Sequence, residues 1–146
     1  MNNSVLIIDN EKKTREALKQ NLELWIENLD VILSDDGKTA LKLVEKGKFE
    51  LIILDLKLPG LSGYEVLQQI RKIDPYVEVI IYTNYLEPLV MKKLFSLGVI
   101  EYVNKGFEAD LWGLVETVKN TLDPFTEDEI NSLLESIPKD VFCRKN

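Results

Sequence analysis

The sequence predicts an α/β protein, a doubly wound, five-stranded parallel sheet with helices on both faces, and three observations predict it. Short apolar runs rich in β-branched residues alternate with stretches of helical periodicity through five repeats. The runs are apolar along their whole length, as strands buried on both faces are. Four of them close abruptly on polar residues, and a parallel sheet places the carboxyl ends of its strands on one edge, where open α/β sheets bind ligands.

In chain order, Val5–Ile8 is the first strand and closes on Asp9-Asn10-Glu11; Leu18, Leu22, Trp25 and Ile26 then recur at helical spacing. Leu29–Leu33 is the second strand, and Ala40, Leu41 and Val44 mark the second helix. Leu51–Leu54 is the third strand, closing on Asp55, with Lys57, Pro59, Gly60 and Gly63 close behind. Val66, Leu67, Ile70 and Ile73 form the third helix, ended by Asp74-Pro75. Val77–Tyr82 closes on Thr83-Asn84, and Leu86, Leu89, Val90, Leu94 and Leu97 form a helix stopped by Gly98. Val99–Val103 closes on Asn104-Lys105, and Leu111, Val115, Val118 and Leu122 form the fifth helix. Trp25 and Trp112 read as core or helix-surface packing, without chemistry.

Asp55 taken alone reads equally as a solvated acid opening a turn. The four strand ends together make a cation site beside a carboxylate, with a hydroxyl at Thr83 and an ammonium at Lys105 for a doubly charged oxyanion.

With these residues in place, the chain resembles a response regulator receiver domain of the chemotaxis-Y-like kind, used in two-component signal transduction. Val5-Leu6-Ile7-Ile8-Asp9-Asn10-Glu11 is similar to the family's acidic first strand end, and the segment from Asp55 to Glu65 to its phosphoacceptor stretch. Thr83, Tyr102 and Lys105 fall where its switch hydroxyl, switch aromatic and lysine belong. The resemblance covers residues 1–122, leaving 123–146 as a C-terminal tail, and implies the strand order 2-1-3-4-5.

The resemblance implies phosphoryl transfer from a partner's phosphohistidine to Asp55. The cofactor it implies is Mg2+, held by an oxygen of Asp55, the backbone carbonyl of Lys57, the Asn10 side chain and, through water, Asp9. Lys105 and Thr83 would meet phosphoryl oxygens, and Tyr102 would change rotamer with Thr83. The Lys57 side chain itself reads as solvated surface. The implied partners are a sensor histidine kinase or phosphotransfer protein and a downstream output protein or domain, with a homodimer possible. A constitutive pseudo-receiver stands as the alternative. A dehalogenase-like phosphatase is disfavoured, because Asp55-Leu56-Lys57 lacks a second carboxylate two residues on.

Three departures from the family pattern stand out. Asn10 is neutral where an acid is usual, so the metal site should be weaker. Asn84 stands where a small residue is usual, narrowing access to Asp55 or adding an amide beside it. Gly106 replaces a proline that usually sits in a cis peptide; a non-proline cis bond costs roughly 3 kcal/mol, so a trans loop that moves Lys105 is expected.

Composition is consistent with this reading. A chain of 146 residues, 45% hydrophobic, suffices for one domain with a core, and the formal charge of −7 argues against direct binding to nucleic acid or an anionic membrane. Met1-Asn2-Asn3-Ser4 has no signal-peptide pattern, and the single Cys143 fits a reducing cytoplasm. No histidine is present, so the phosphohistidine donor must be another chain. In the tail, Thr126 and Glu129 have capping-box spacing ahead of a stripe at Ile130, Leu133, Leu134 and Ile137, predicting a short amphipathic helix packed back on the domain. The chain is either a stand-alone receiver or one cut from an output domain.

Overall fold

The computed structural model describes residues 2–85, 87–106, 108–123 and 127–138. Strands β1 (Asn3–Ile8), β2 (Leu29–Ser34), β3 (Leu51–Leu54), β4 (Glu78–Thr83) and β5 (Val99–Asn104) form one sheet in the order β2-β1-β3-β4-β5. Every neighbouring pair is parallel. Helices α1 (Lys12–Trp25), α2 (Gly37–Lys46), α3 (Gly63–Ile73), α4 (Pro88–Ser96) and α5 (Glu108–Leu122) follow the strands in turn, and α6 (Glu127–Ser136) comes last.

Strand side chains alternate between faces, which explains why the strands are apolar throughout. Leu6, Ile8, Ile52 and Leu54 point to one face, where they pack with Ala40 and Val44 of α2, Val66, Leu67 and Ile70 of α3 and Leu94 of α4. Val5, Ile7, Leu51 and Ile53 point to the other, packing with Leu18 and Leu22 of α1 and Leu114, Val115 and Val118 of α5. Burying each of the Leu, Ile and Val side chains among them is worth about 1.5–3 kcal/mol.

Local signals set the helix starts. The Asp36 side chain accepts from the Thr39 amide at 2.7 Å and caps α2, and the Ser62 hydroxyl accepts from the Glu65 amide at 3.2 Å and caps α3. Gly63 opens α3 so close to the preceding loop that a Cβ would lie 2.3 Å from the Asp55 carbonyl oxygen. Gly98 adopts φ +81 after α4, the left-handed conformation in which glycine ends helices.

Several details differ from the sequence reading. Leu114 is fully buried although the predicted α5 stripe omits it, while Leu89 is 71% exposed. Trp25 and Trp112, read as core or helix-surface packing, agree with the second: they form an edge-on pair across α1 and α5 with centroids 5.1 Å apart, half exposed. Ile130, Leu133 and Leu134 of α6 are about half exposed. The expectations for Leu86, Thr126 and Cys143 fall outside the described residues.

Candidate functional site

The order of the sheet reverses at β1, with β2 on one side and β3 on the other, so the ends of β1 and β3 flank a crevice. Asp9 and Asp55 leave those two ends. Backbone bonds carry the pattern one residue past each strand: the Asp9 amide donates to the Ser34 carbonyl at 3.0 Å, the Asp55 amide to the Ile8 carbonyl at 2.9 Å and the Lys105 amide to the Thr83 carbonyl at 3.0 Å. The predicted acid, acid, hydroxyl and amine therefore stand side by side along one edge.

Lys105 is the centre of the arrangement. Its ammonium, with the side chain 5% exposed, lies 2.6 Å from Asp9 Oδ2 and 2.7 Å from Asp55 Oδ2. It also lies 5.9 Å from the centroid of the Tyr82 ring. Asp9 and Asp55 are almost completely buried, and Thr83 fully so. The remaining carboxylate oxygens accept from the main chain, Asp9 Oδ1 from the Glu11 amide at 2.9 Å and Asp55 Oδ1 from the Lys57 amide at 3.2 Å. Each carboxylate is thus held by one ammonium and one amide.

Two buried carboxylates sharing one ammonium set the local electrostatics. Burial lifts the Asp9 carboxyl above its ordinary value, against the opposing pull of Lys105. Burial would lower Lys105, but its hydrogen bonds to Asp55 and Asp9 outweigh that and hold it above its ordinary value, fully charged at neutral pH. Burial, reinforced by the nearby Asp55 charge, also raises the Tyr102 phenol.

The three departures resolve separately. No cis peptide bond occurs among the described residues, so the turn into Gly106 is trans; Lys105 nevertheless reaches both acids. That turn is tied by the Gly106 amide, which donates to Asn104 Oδ1 at 2.7 Å. Asn84 is exposed and lines a cavity of about 450 Å³ together with Glu11 and Lys105. Asn10 is exposed, and Lys57 presents its side chain to solvent.

The structure gives contacts to Glu11, which the sequence reading placed in the acidic end of the first strand, and to Arg15 and Tyr85, which it left without a role. Glu11 Oε1 lies 3.8 Å from the Lys105 ammonium. Arg15 donates from Nη1 to the Asp9 carbonyl oxygen at 2.6 Å, anchoring the turn between β1 and α1. Tyr85 links the two switch positions: its amide donates to Thr83 Oγ1 at 3.2 Å and its carbonyl accepts from the Tyr102 hydroxyl. Glu11, the N-cap, and Arg15, in the first turn of α1, follow Asp9 closely in the chain, but which atoms they meet, like the position of Tyr85, depends on a turn or loop path that spacing does not give.

One oxygen each from Asp9, Glu11 and Asp55 lie within 4.8 Å of one another, a hard-oxygen donor set suited to a hard divalent cation. An acidic crevice, a bridging lysine and a buried threonine at the carboxyl edge of a 2-1-3-4-5 sheet define a receiver domain of the two-component type. The family model for the response regulator receiver domain matches residues 5–118, and the chain belongs to that family.

Sporulation initiation phosphotransferase F of Bacillus subtilis is 32% identical over 110 residues, covering 75% of this chain and 87% of that protein. The uncharacterized transcriptional regulatory protein YkoG of the same organism is 36% identical over 108 residues, covering 73% of this chain but only 46% of that longer protein. Among solved structures, response regulator TrrA of Thermotoga maritima, crystallised in complex with Mg2+–BeF, matches with TM-score 0.69 and 35% identity over 82% of this chain and 98% of that one. No helix among the described residues is long and apolar enough to cross a membrane.

Proposed function

We propose that this receiver domain is a phosphorylation-dependent switch that accepts a phosphoryl group on Asp55 from the phosphohistidine of a sensor kinase or phosphotransfer protein. The observation that carries the reading is the Lys105 ammonium bridging Asp9 and Asp55 at 2.6 and 2.7 Å, a poised positive charge beside the carboxylate that ends β3. As an Asp55 oxygen bonds to phosphorus, the phosphorus–nitrogen bond breaks and its electron pair returns to the donor's imidazole. Lys105 turns towards a phosphoryl oxygen, and the Thr83 hydroxyl donates to another while still accepting from the Tyr85 amide. Little acid–base help is required, because positioning and charge neutralisation dominate such transfers.

Receiver domains bind Mg2+ at an acidic site, and when bound the ion neutralises phosphoryl charge that this chain's carboxylates would otherwise repel. Asp9, Asn10, Asp55 and the Lys57 carbonyl are the residues assigned to hold it. The output is a change at Tyr102 and the adjoining surface of α4, β5 and α5, read by a downstream protein or domain in the cytoplasm. Residues 1–122 form the switching unit, and 123–146 an appended tail that includes the helix Glu127–Ser136.

The test is intact mass after incubation with acetyl phosphate and magnesium. One phosphate increment in the parent, absent in Asp55→Asn, is the expected result. A parent that takes no phosphate turns the reading to a constitutive interaction module, and an increment that survives Asp55→Asn moves the acceptor elsewhere.

A further inference from the structure

We infer that Glu11 is the third carboxylate facing the divalent cation, supplying the charge that the neutral Asn10 does not. The inference rests on the receiver reading of the crevice and changes its ligand set.

Three features of Glu11 support it. Its carboxylate shares one region with those of Asp9 and Asp55, an oxygen from each within 4.8 Å of the others. Octahedral ligands about 2.0–2.1 Å from magnesium stand roughly 2.9 Å apart when adjacent and 4.2 Å when opposite, so a small movement of one flexible side chain closes the set. Glu11 is that side chain, 55% exposed where its two neighbours are buried.

Glu11 is also the N-cap residue of α1, yet its side chain makes no capping bond. One oxygen, Oε2, instead accepts from the Thr14 hydroxyl at 3.3 Å, while Oε1 faces the Lys105 ammonium at 3.8 Å. The backbone that carries it is fixed: its amide donates to Asp9 Oδ1 at 2.9 Å, its carbonyl accepts from the Arg15 amide at 3.0 Å, and the Arg15 guanidinium holds the Asp9 carbonyl. The simpler account makes Glu11 a surface partner of Lys105. Such a half-exposed pair at 3.8 Å adds little, and it predicts no effect on cation binding.

Calorimetric titration of the full chain with Mg2+ alone, and electron paramagnetic resonance with Mn2+ alone, separate the accounts without any phosphodonor. Glu11→Gln should weaken both cations about fivefold, and Asn10→Ala should cost less. The double variant Asn10→Asp, Glu11→Gln should regain the parent's affinity, which a merely structural role for Glu11 does not predict. An unchanged melting temperature of Glu11→Gln in chelator confirms that its fold is intact. The inference is overturned if Glu11→Gln binds both cations as the parent does, or if Asn10→Ala loses more. In the first case a parent that still takes phosphate leaves the proposed function standing. A parent that binds cations in a Glu11-dependent way but takes no phosphate leaves the inference standing without that function, and a parent that binds neither cation overturns both.

Discussion

The Tyr102 hydroxyl donates to the backbone carbonyl of Tyr85, and the amide of the same residue donates to the Thr83 hydroxyl oxygen at 3.2 Å. The two switch positions are therefore joined through one peptide segment at the start of the loop after β4. The sequence reading expected Tyr102 to change rotamer with Thr83; a hydrogen-bonded relay through residue 85 is the route the structure offers.

That relay makes Thr83→Ala and Tyr102→Phe informative as a pair. Both should accept phosphate on Asp55. Thr83→Ala loses a bond to a charged acceptor worth about 1.5–3 kcal/mol of the difference between the two states, and with it most of the response. Tyr102→Phe should keep the loop response but lose that of β5. Amide exchange over residues 87–97 and 99–103, with and without phosphate, reads both effects. A parent-like response in Thr83→Ala would sink the switch.

Lys105→Met should destabilise the fold by about 3–5 kcal/mol, since it leaves Asp9 and Asp55 buried without a counter-charge. Denaturant unfolding should show the loss shrinking when magnesium is added, because a cation restores part of the missing charge. The pH dependence follows in sign. With its folded value raised above 10.5, Lys105 contributes its full stabilisation below that value and loses it only as the pH rises through the folded one. The parent should thus show an alkaline loss of stability that the methionine variant lacks.

Two glycines should respond in opposite directions to alanine. At Gly63 the new methyl would meet the Asp55 carbonyl oxygen at 2.3 Å and Leu56 Cα at 2.5 Å, both main-chain atoms that cannot turn aside. A loss on the order of 2 kcal/mol or more, with slower phosphate uptake as the Asp55 loop shifts, is expected. Gly113, inside α5, has nothing within 4 Å of the added carbon, so Gly113→Ala should stabilise by about 0.5–1 kcal/mol. Thermal melts of the two variants, beside acetyl phosphate labelling of the first, check both.

Arg71 fastens the end of α3 to the two connections beside it. It donates to the carbonyls of Leu97 at 2.7 Å and Val77 at 2.6 Å, with longer bonds to Pro75 and Gly98. A lysine has one nitrogen and no planar fork, so Arg71→Lys cannot reach these acceptors together and should cost on the order of 2 kcal/mol in urea unfolding. A parent-like midpoint would mean that water replaces the guanidinium without loss.

The sequence by itself determined the alternation of strands and helices, the edge on which Asp9, Asp55, Thr83 and Lys105 gather, and the family. These follow from local periodicity and from residues placed at strand ends, and both are written in short windows of chain. It did not determine which apolar positions are covered. Leu114 is buried and Leu89 exposed because burial depends on where a helix settles against the sheet, a relation between distant segments. Tertiary structure alone decided that Glu11 faces Lys105, that Arg15 holds the Asp9 carbonyl and that residue 85 joins Thr83 to Tyr102. Each of these depends on a distance of a few ångströms set by a turn or loop path, and no spacing rule encodes such a distance.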